Sequence, residues 1–165
     1  MKRYRVLQFD FDTRASLLSL VIKDDWDESV KQSHRENKAA IQEGIVADYG
    51  KHNASRKVED FAELGNSPIS VVAFHNRFFR QARTAFIAGA YYPALTGVCA
   101  LGERVLNQLV LELREDYKGT PEYKKVYRKQ SFDNWDLAID TLERWGVLLP
   151  DAADSFRELR DARHT

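Results

Sequence analysis

YYPALTGVCALGERVLNQLVLELREDY, residues 91–117, is the longest segment of the chain with one unbroken helical pattern. Leu95, Val98, Leu101 or Gly102, Val105, Leu106, Leu109, Val110 and Leu113 recur at three-and-four spacing, which gathers them on one broad face of an α-helix. The stretch therefore predicts a buried central helix. Pro93 suits its first turn, where the missing N–H has no helical partner to lose. Gly97 and Gly102 each cost roughly 1 kcal/mol against alanine inside a helix, so their presence predicts a close helix contact. Glu103 and Arg104 are charges set among core positions. A buried carboxylate has to be paired or neutralised. Glu103 thus reaches a cation on a neighbouring helix, turns toward a cleft, or stays at the surface as a structural carboxylate.

Composition sets bounds on the rest. The chain has 165 residues, 44% of them hydrophobic, which suffices for a packed core and disfavours global disorder. Its 25 Lys and Arg balance 25 Asp and Glu, so it does not coat nucleic acid through an overall field, although a local basic patch remains open. Cys99 is the single cysteine and excludes an internal disulfide; on the central helix it reads as a small buried hydrophobe. The opening MKRYRVLQFDFDTR carries charge throughout, unlike a signal peptide, and no stretch approaches the ~18 apolar residues of a membrane span. A reducing, cytoplasmic setting with no membrane partner is the expectation.

Upstream of the central helix, residues 4–11 alternate, with Leu7, Phe9 and Phe11 on one side, which is a strand signature. After the turn-like Asp12-Thr13-Arg14, the run SLLSLVIK at 16–23 pairs back as a second strand or forms a short helix, and the hairpin is the reading adopted. Asp24 and Asp25 offer an N-cap for a polar helix over 26–46. Between Gly50 and Pro68 the composition turns polar, with one helical turn or more at 58–64 and little else that looks packed, and Gly65-Asn66-Ser67-Pro68 forms a strong turn cluster. The predicted organisation is a region 1–65 with hairpin, polar helix and connector, followed by a helical bundle over 66–165.

Within that bundle, Ser67 or Ser70 caps a helix over 71–88 with Val71, Phe74, Phe78, Ala82, Ala85 and Phe86 as its core stripe, and Gly89 ends it. A short helix over 122–129 opens at Thr120-Pro121. Asp133 caps a helix over 134–145 that Gly146 closes, and Asp151 caps the last helix, 152 to about 164. Short connections favour antiparallel neighbours. Leu95, Val98, Leu106, Leu109, Phe78 and Trp135 are expected among the least accessible side chains.

Three of these stretches together carry a resemblance. AFIAGAYYPALTGVCALGERVLNQL (85–109), WDLAIDTLERWGVL (135–148) and FRELRDARHT (156–165) resemble the HEPN superfamily of small helical bundles, particularly its poorly characterised bacterial branch, over residues 70–165. The resemblance implies a mainly α, antiparallel HEPN-like bundle, preceded here by the hairpin and helix. In nuclease members an Arg and a polar residue are followed, after four to six residues, by a catalytic His. Arg157 and His164, six residues between them, meet that spacing. Aligning Arg163-His164 with the start of the motif instead sets the family's His beyond Thr165. The resemblance further implies a homodimer with a composite site.

The chemistry can be judged from the residues. Cleaving RNA through its own 2′-hydroxyl needs a base titrating near neutrality and a cation where phosphorane charge develops, and neither role requires a metal or other cofactor. On one helix Arg157, Arg160 or Asp161, and His164 lie along a shared face. The candidate catalytic residues are Arg157, Arg163 and His164, and the alternative is a charged final turn that complements the helix dipole. Arg77, Arg80, Arg83 and Arg160 are the candidate contacts to RNA or nucleotide phosphates, or else members of solvated faces paired with acids. Asp10 and Asp12 share a strand face without a third ligand, and the histidines lack close Cys or His partners, so no metal site is predicted. Two functions follow: a metal-independent endoribonuclease, or a non-catalytic protein-interaction or oligomerisation domain.

Overall fold

The computed structural model describes residues 11–67 and 73–163 and is mainly helical, with no strand among them. Eight α-helices are present in that range: α1 Arg14–Ser19, α2 Glu28–Tyr49, α3 Ala54–Glu63, α4 Ala73–Ile87, α5 Tyr91–Leu113, α6 Tyr123–Val126, α7 Trp135–Arg144 and α8 Pro150–Ala162. The chain forms two compact units, residues 1–94 and 95–165. The polar break expected at 65/66 falls inside the first of them.

The predicted hairpin is not observed. Residues 4–10 of its first arm lie outside the described residues, and the second arm begins with α1 rather than a strand. The cause is capping that arrives from far along the chain. Asn66 Oδ1 accepts the Ser16 N–H at 3.0 Å from fifty positions away, and nearer at hand Asp12 Oδ1 accepts the Arg14 N–H at 3.0 Å, so two first-turn amides of α1 have side-chain acceptors. Asp12 itself makes an isolated antiparallel bridge with Ser67.

The first unit closes around Ala15, Ile45, Phe61 and Ile87. Its segment 50–68, expected to be loosely packed, instead contains α3, which lies against α1, α2 and α4 and buries Phe61. Cations tie up the carbonyls at helix ends. Lys57 Nζ donates to the Tyr49 and Gly50 carbonyls at the end of α2, at 2.7 and 3.2 Å. Arg83 donates to the Leu64 and Gly65 carbonyls beyond α3, at 3.2 and 2.8 Å. Carbonyls at a helix's C-terminal end have no intrahelical partner, and a positive charge suits that end of the helix dipole. On α4, Ala82 is buried but Phe78 is 40% exposed, against expectation, while Val71 lies outside the described residues.

The second unit has its core on α5, α7 and the loops around them. Leu106, Val110, Val126, Phe132, Trp135, Ile139 and Leu142 are buried together. The helical stretch 91–117 is observed nearly whole, with a 3-10 turn Arg114–Tyr117 finishing α5. Its buried residues are Ala94, Cys99, Gly102, Leu106 and Val110. The stripe is narrower than the apolar pattern and turned relative to it, so Leu95 is 37% exposed and Val98 and Leu109 are half-buried. Gly102 explains the turn. A Cβ placed there would lie 2.9 Å from Leu159 Cδ2 and 3.0 Å from the Trp135 ring, so α7 and α8 approach the backbone of α5 at this residue. Asn107 brackets the loop before α7 by accepting the Phe132 N–H at 2.7 Å and donating to the Phe132 carbonyl at 3.3 Å. Asn134 rather than Asp133 caps α7, accepting from the Leu137 N–H, and Gly146 ends it in the left-handed region at φ 70°.

Candidate functional site

The sequence directs attention to the last helix. Pro150 occupies its first turn and Ala153 faces the core; Arg157 and Arg160, one and two turns further along the same side, are half-buried, and the following Arg163 is exposed. Beside them runs α7, whose acids Asp136, Asp140 and Glu143 stand at i, i+4 and i+7 and therefore on one face.

The two rows meet. Arg157 Nη2 donates to Asp140 at 3.0 Å and to Glu143 at 2.7 Å, while its Nη1 donates to Asp154 at 3.0 Å. Arg160 pairs with Asp136 on α7 and with its neighbour Asp161. As the number rises on α8 it falls on α7, the register of an antiparallel helix pair. Hydrogen bonds donated to Glu143, Asp140 and Asp154 push the Arg157 pKa above the ordinary arginine value, and those to Asp161 with the charge of Asp136 do the same for Arg160. These cations are closed by carboxylates, not presented to solvent as bare donors. Arg163 is different. Its Nη1 donates to Glu103 Oε2 on α5 at 2.8 Å, and both side chains remain substantially exposed. Glu103 thus reaches a cation on a neighbouring helix, one of the alternatives its position allowed. His164 lies outside the described residues.

Beneath this rim is Cys99, buried as expected, with its thiol 3.7 Å from the Leu159 carbonyl. Burial pushes the thiol pKa up, against a smaller opposing pull from Arg163, so it is held as a neutral thiol.

The α4 arginines, in the first unit, do not act alike. Arg77 and Arg80 are exposed, whereas Arg83 is committed to the α3 carbonyls and lies 5.8 Å over the Phe79 ring. Burial lowers its pKa, an effect its surroundings do not fully offset. Arg83 is therefore a helix-end clamp. Asp12 is held by Arg14, which also bonds Asp48 and lies 5.1 Å over the Phe61 ring. Among the described residues no group of three His, Cys, Asp or Glu is gathered as a metal would require.

No family model, curated protein or solved structure matches the chain. Assignment of these groups rests on their chemistry.

Two features lay beyond the motif reading. The acids of α7 were legible as a one-faced row but carried no indication of their partners. Asp60, 2% exposed, accepts from Tyr91 Oη at 2.7 Å and pairs with Arg56 Nε at 2.9 Å, a buried carboxylate with both oxygens satisfied. A polar residue on the inward side of α3 gives the only sequence hint of it. Among the described residues no helix is long and apolar enough to cross a membrane.

Proposed function

We propose that the chain is a non-catalytic helical interaction module, HEPN-like over residues 70–165, that associates with another copy of itself. One observation carries this reading: Arg157 and Arg160 are engaged by five carboxylates, those of Asp140, Glu143, Asp154, Asp136 and Asp161. A phosphate diester approaching either guanidinium would have to displace a carboxylate already in place and would meet the repulsion of the others. Arginines so engaged hold α8 to α7. Apolar side chains turned outward supply contact area for association; Val21 is 77% exposed and Leu149 73%.

The metal-independent endoribonuclease is the second reading, and a single feature favours it. Arg163 has one acidic partner in a half-exposed pair, which a phosphate can displace at small cost. In that reading Arg163 steadies the phosphorane and His164 moves the proton, with Arg77 and Arg80 as candidate contacts to RNA. Incubating the full chain with single-stranded RNA in EDTA, alongside sedimentation equilibrium, separates the two. The proposal expects intact RNA and concentration-dependent self-association. Chelator-resistant cleavage that disappears in both Arg163→Ala and His164→Ala would overturn it, as would a chain that stays monomeric.

A further inference from the structure

The segment around α6 gathers charge that its neighbours do not neutralise. Lys124, Lys125, Arg128 and Lys129 are all exposed, and none takes part in an ion pair among the described residues. Two of the three acids nearest in sequence are already taken. Glu115 pairs with Lys118 at 2.9 Å and Arg114 at 3.8 Å, and Glu122 pairs with Arg144 at 3.1 Å, with Lys125 a weaker influence on it. Only Asp116 is left over.

The backbone holds these cations side by side. α6 ends at Val126, yet the Tyr127 N–H donates to the Tyr123 carbonyl at 2.9 Å and the Lys129 N–H to the Val126 carbonyl at 3.1 Å, so the coil runs on for a further turn. Val126 is wholly buried, and Arg114 Nη1 donates to the Val126 and Lys129 carbonyls at 3.3 and 2.7 Å. The segment is thus pinned to the core of the second unit while its cations face water. Lys124 and Arg128, like Lys125 and Lys129, are equal charges four positions apart, an arrangement that disfavours a helical turn. Nor do the end carbonyls need them, since Arg114 already serves that role. The packing of the unit does not account for the cluster.

Aromatic rings stand among the cations. Tyr123 and Tyr127 stack with centroids 5.6 Å apart, and the Arg128 guanidinium carbon lies 5.0 Å from the Tyr127 centroid. Tyr127 is 39% exposed. A single-stranded nucleic acid matches both features, because its phosphates meet the cations while an unstacked base extends the ring stack. A duplex keeps its bases stacked inside and engages the charges only. A lipid surface calls for apolar side chains that insert, and the exposed residues of 121–130 include no Leu, Ile, Phe, Trp or Met. An acidic peptide would use the cations and leave the rings idle.

We propose that Lys124, Lys125, Tyr127, Arg128 and Lys129 form a docking strip for single-stranded nucleic acid. The strip lies within the second unit, apart from the α8 arginines, and requires neither self-association nor cleavage.

The test is fluorescence anisotropy of the full chain with labelled RNA and DNA single strands of about 15 nucleotides, in EDTA. Four phosphate contacts give a slope of log affinity against log salt of about −3. The paired changes Lys124→Gln with Lys125→Gln, and Arg128→Gln with Lys129→Gln, are each expected to make that slope shallower by about 1.4. Tyr127→Leu is expected to weaken binding about tenfold at unchanged slope, whereas Tyr127→Phe, which keeps the ring, binds as the wild type does. Arg77→Gln, an exposed cation of the first unit, leaves affinity and slope unchanged. All the substituted side chains are exposed, and circular dichroism verifies that each variant is folded. Equal binding of the two single strands assigns the strip to the phosphate and base chemistry they share, and tighter binding of RNA assigns it to RNA. No binding at about 0.1 mM protein in about 50 mM salt would overturn the proposal. So would a duplex or polyglutamate bound as tightly as the single strands, or binding indifferent to the Tyr127 ring or to both paired charge changes.

Discussion

Arg163 Nη1 donates to Glu103 Oε2 at 2.8 Å, joining the end of α8 to the middle of α5 across sixty positions of sequence. Their side chains are 44% and 36% exposed, so water and salt screen the pair. Surface pairs of this kind contribute about 0.2–1 kcal/mol. Glu103→Gln and Arg163→Ala are therefore expected to lower unfolding stability by no more than about 1 kcal/mol each, with non-additive effects in the double variant. Urea denaturation of the four chains measures this. A loss of several kcal/mol from either change would mean that the pair is structurally central, contrary to its exposure.

Arg157 presents the opposite case. It neutralises Asp140, Glu143 and Asp154 at once, and removing its charge leaves three carboxylates without their shared partner. Arg157→Met keeps much of the aliphatic stem and removes only the cation. The variant is expected to melt several degrees below the wild type, further below than Arg163→Ala, with the gap narrowing in high salt. Arg157→Lys should recover only part of the difference, because an ammonium cannot present a planar fork to several acids. Thermal melts at low and high ionic strength distinguish this from simple loss of packing, which salt would leave unchanged.

The helices were readable because their signals are local. Apolar spacing over 91–117 defines α5, Gly89 and Gly146 end their helices at φ 81° and 70°, and Pro93 stands in the first turn. What remained illegible depends on partners distant in sequence. Asn66 satisfies the first turn of α1 from fifty positions away, which turned an apolar run of ambiguous period into a helix. The stripe on α5 followed the same logic, since the approach of Leu159 and Trp135 to Gly102 selects the buried face among several apolar ones. For the arginines, sequence supplied position and charge but not the acceptor. Two of the candidate phosphate contacts, Arg83 and Arg160, and the candidate catalytic Arg157 engage carbonyls or carboxylates of their own chain.

Gly102 offers a test of that close approach. Alanine would improve helix propensity by up to about 1 kcal/mol, yet its methyl would sit 2.9 Å from Leu159 Cδ2 and 3.0 Å from the Trp135 ring. Leu159 can shift its side-chain end, whereas the indole is rigid. Overpacking of this kind costs roughly 1–3 kcal/mol. Gly102→Ala is expected to be destabilising by about 1 kcal/mol net, and Gly102→Val by more, since it adds bulk without the propensity gain. Chemical denaturation with Trp135 fluorescence as one probe reads both. A stabilised alanine variant would show that α5 is not held against α7 and α8 at this point.

The Asp12–Arg14 pair makes stability depend on pH in a definite direction. Partial burial opposes ionisation of Asp12, but hydrogen bonds and charge from Arg14 outweigh it and hold the folded-state pKa below the ordinary 3.8. A carboxylate with a depressed folded-state pKa releases its proton more readily in the native chain than in the unfolded one. Its contribution is fully present above the unfolded value and is lost as pH falls through the folded one. Asp12→Asn removes that linkage and also one of the acceptors that hold Arg14. The wild type should exceed the variant in stability at neutral pH, and the difference should shrink only once pH drops below about 4. Urea titrations from pH 7 down to about 3 follow it. A difference that already shrinks between pH 7 and 5 would point to a titrating group other than this carboxylate.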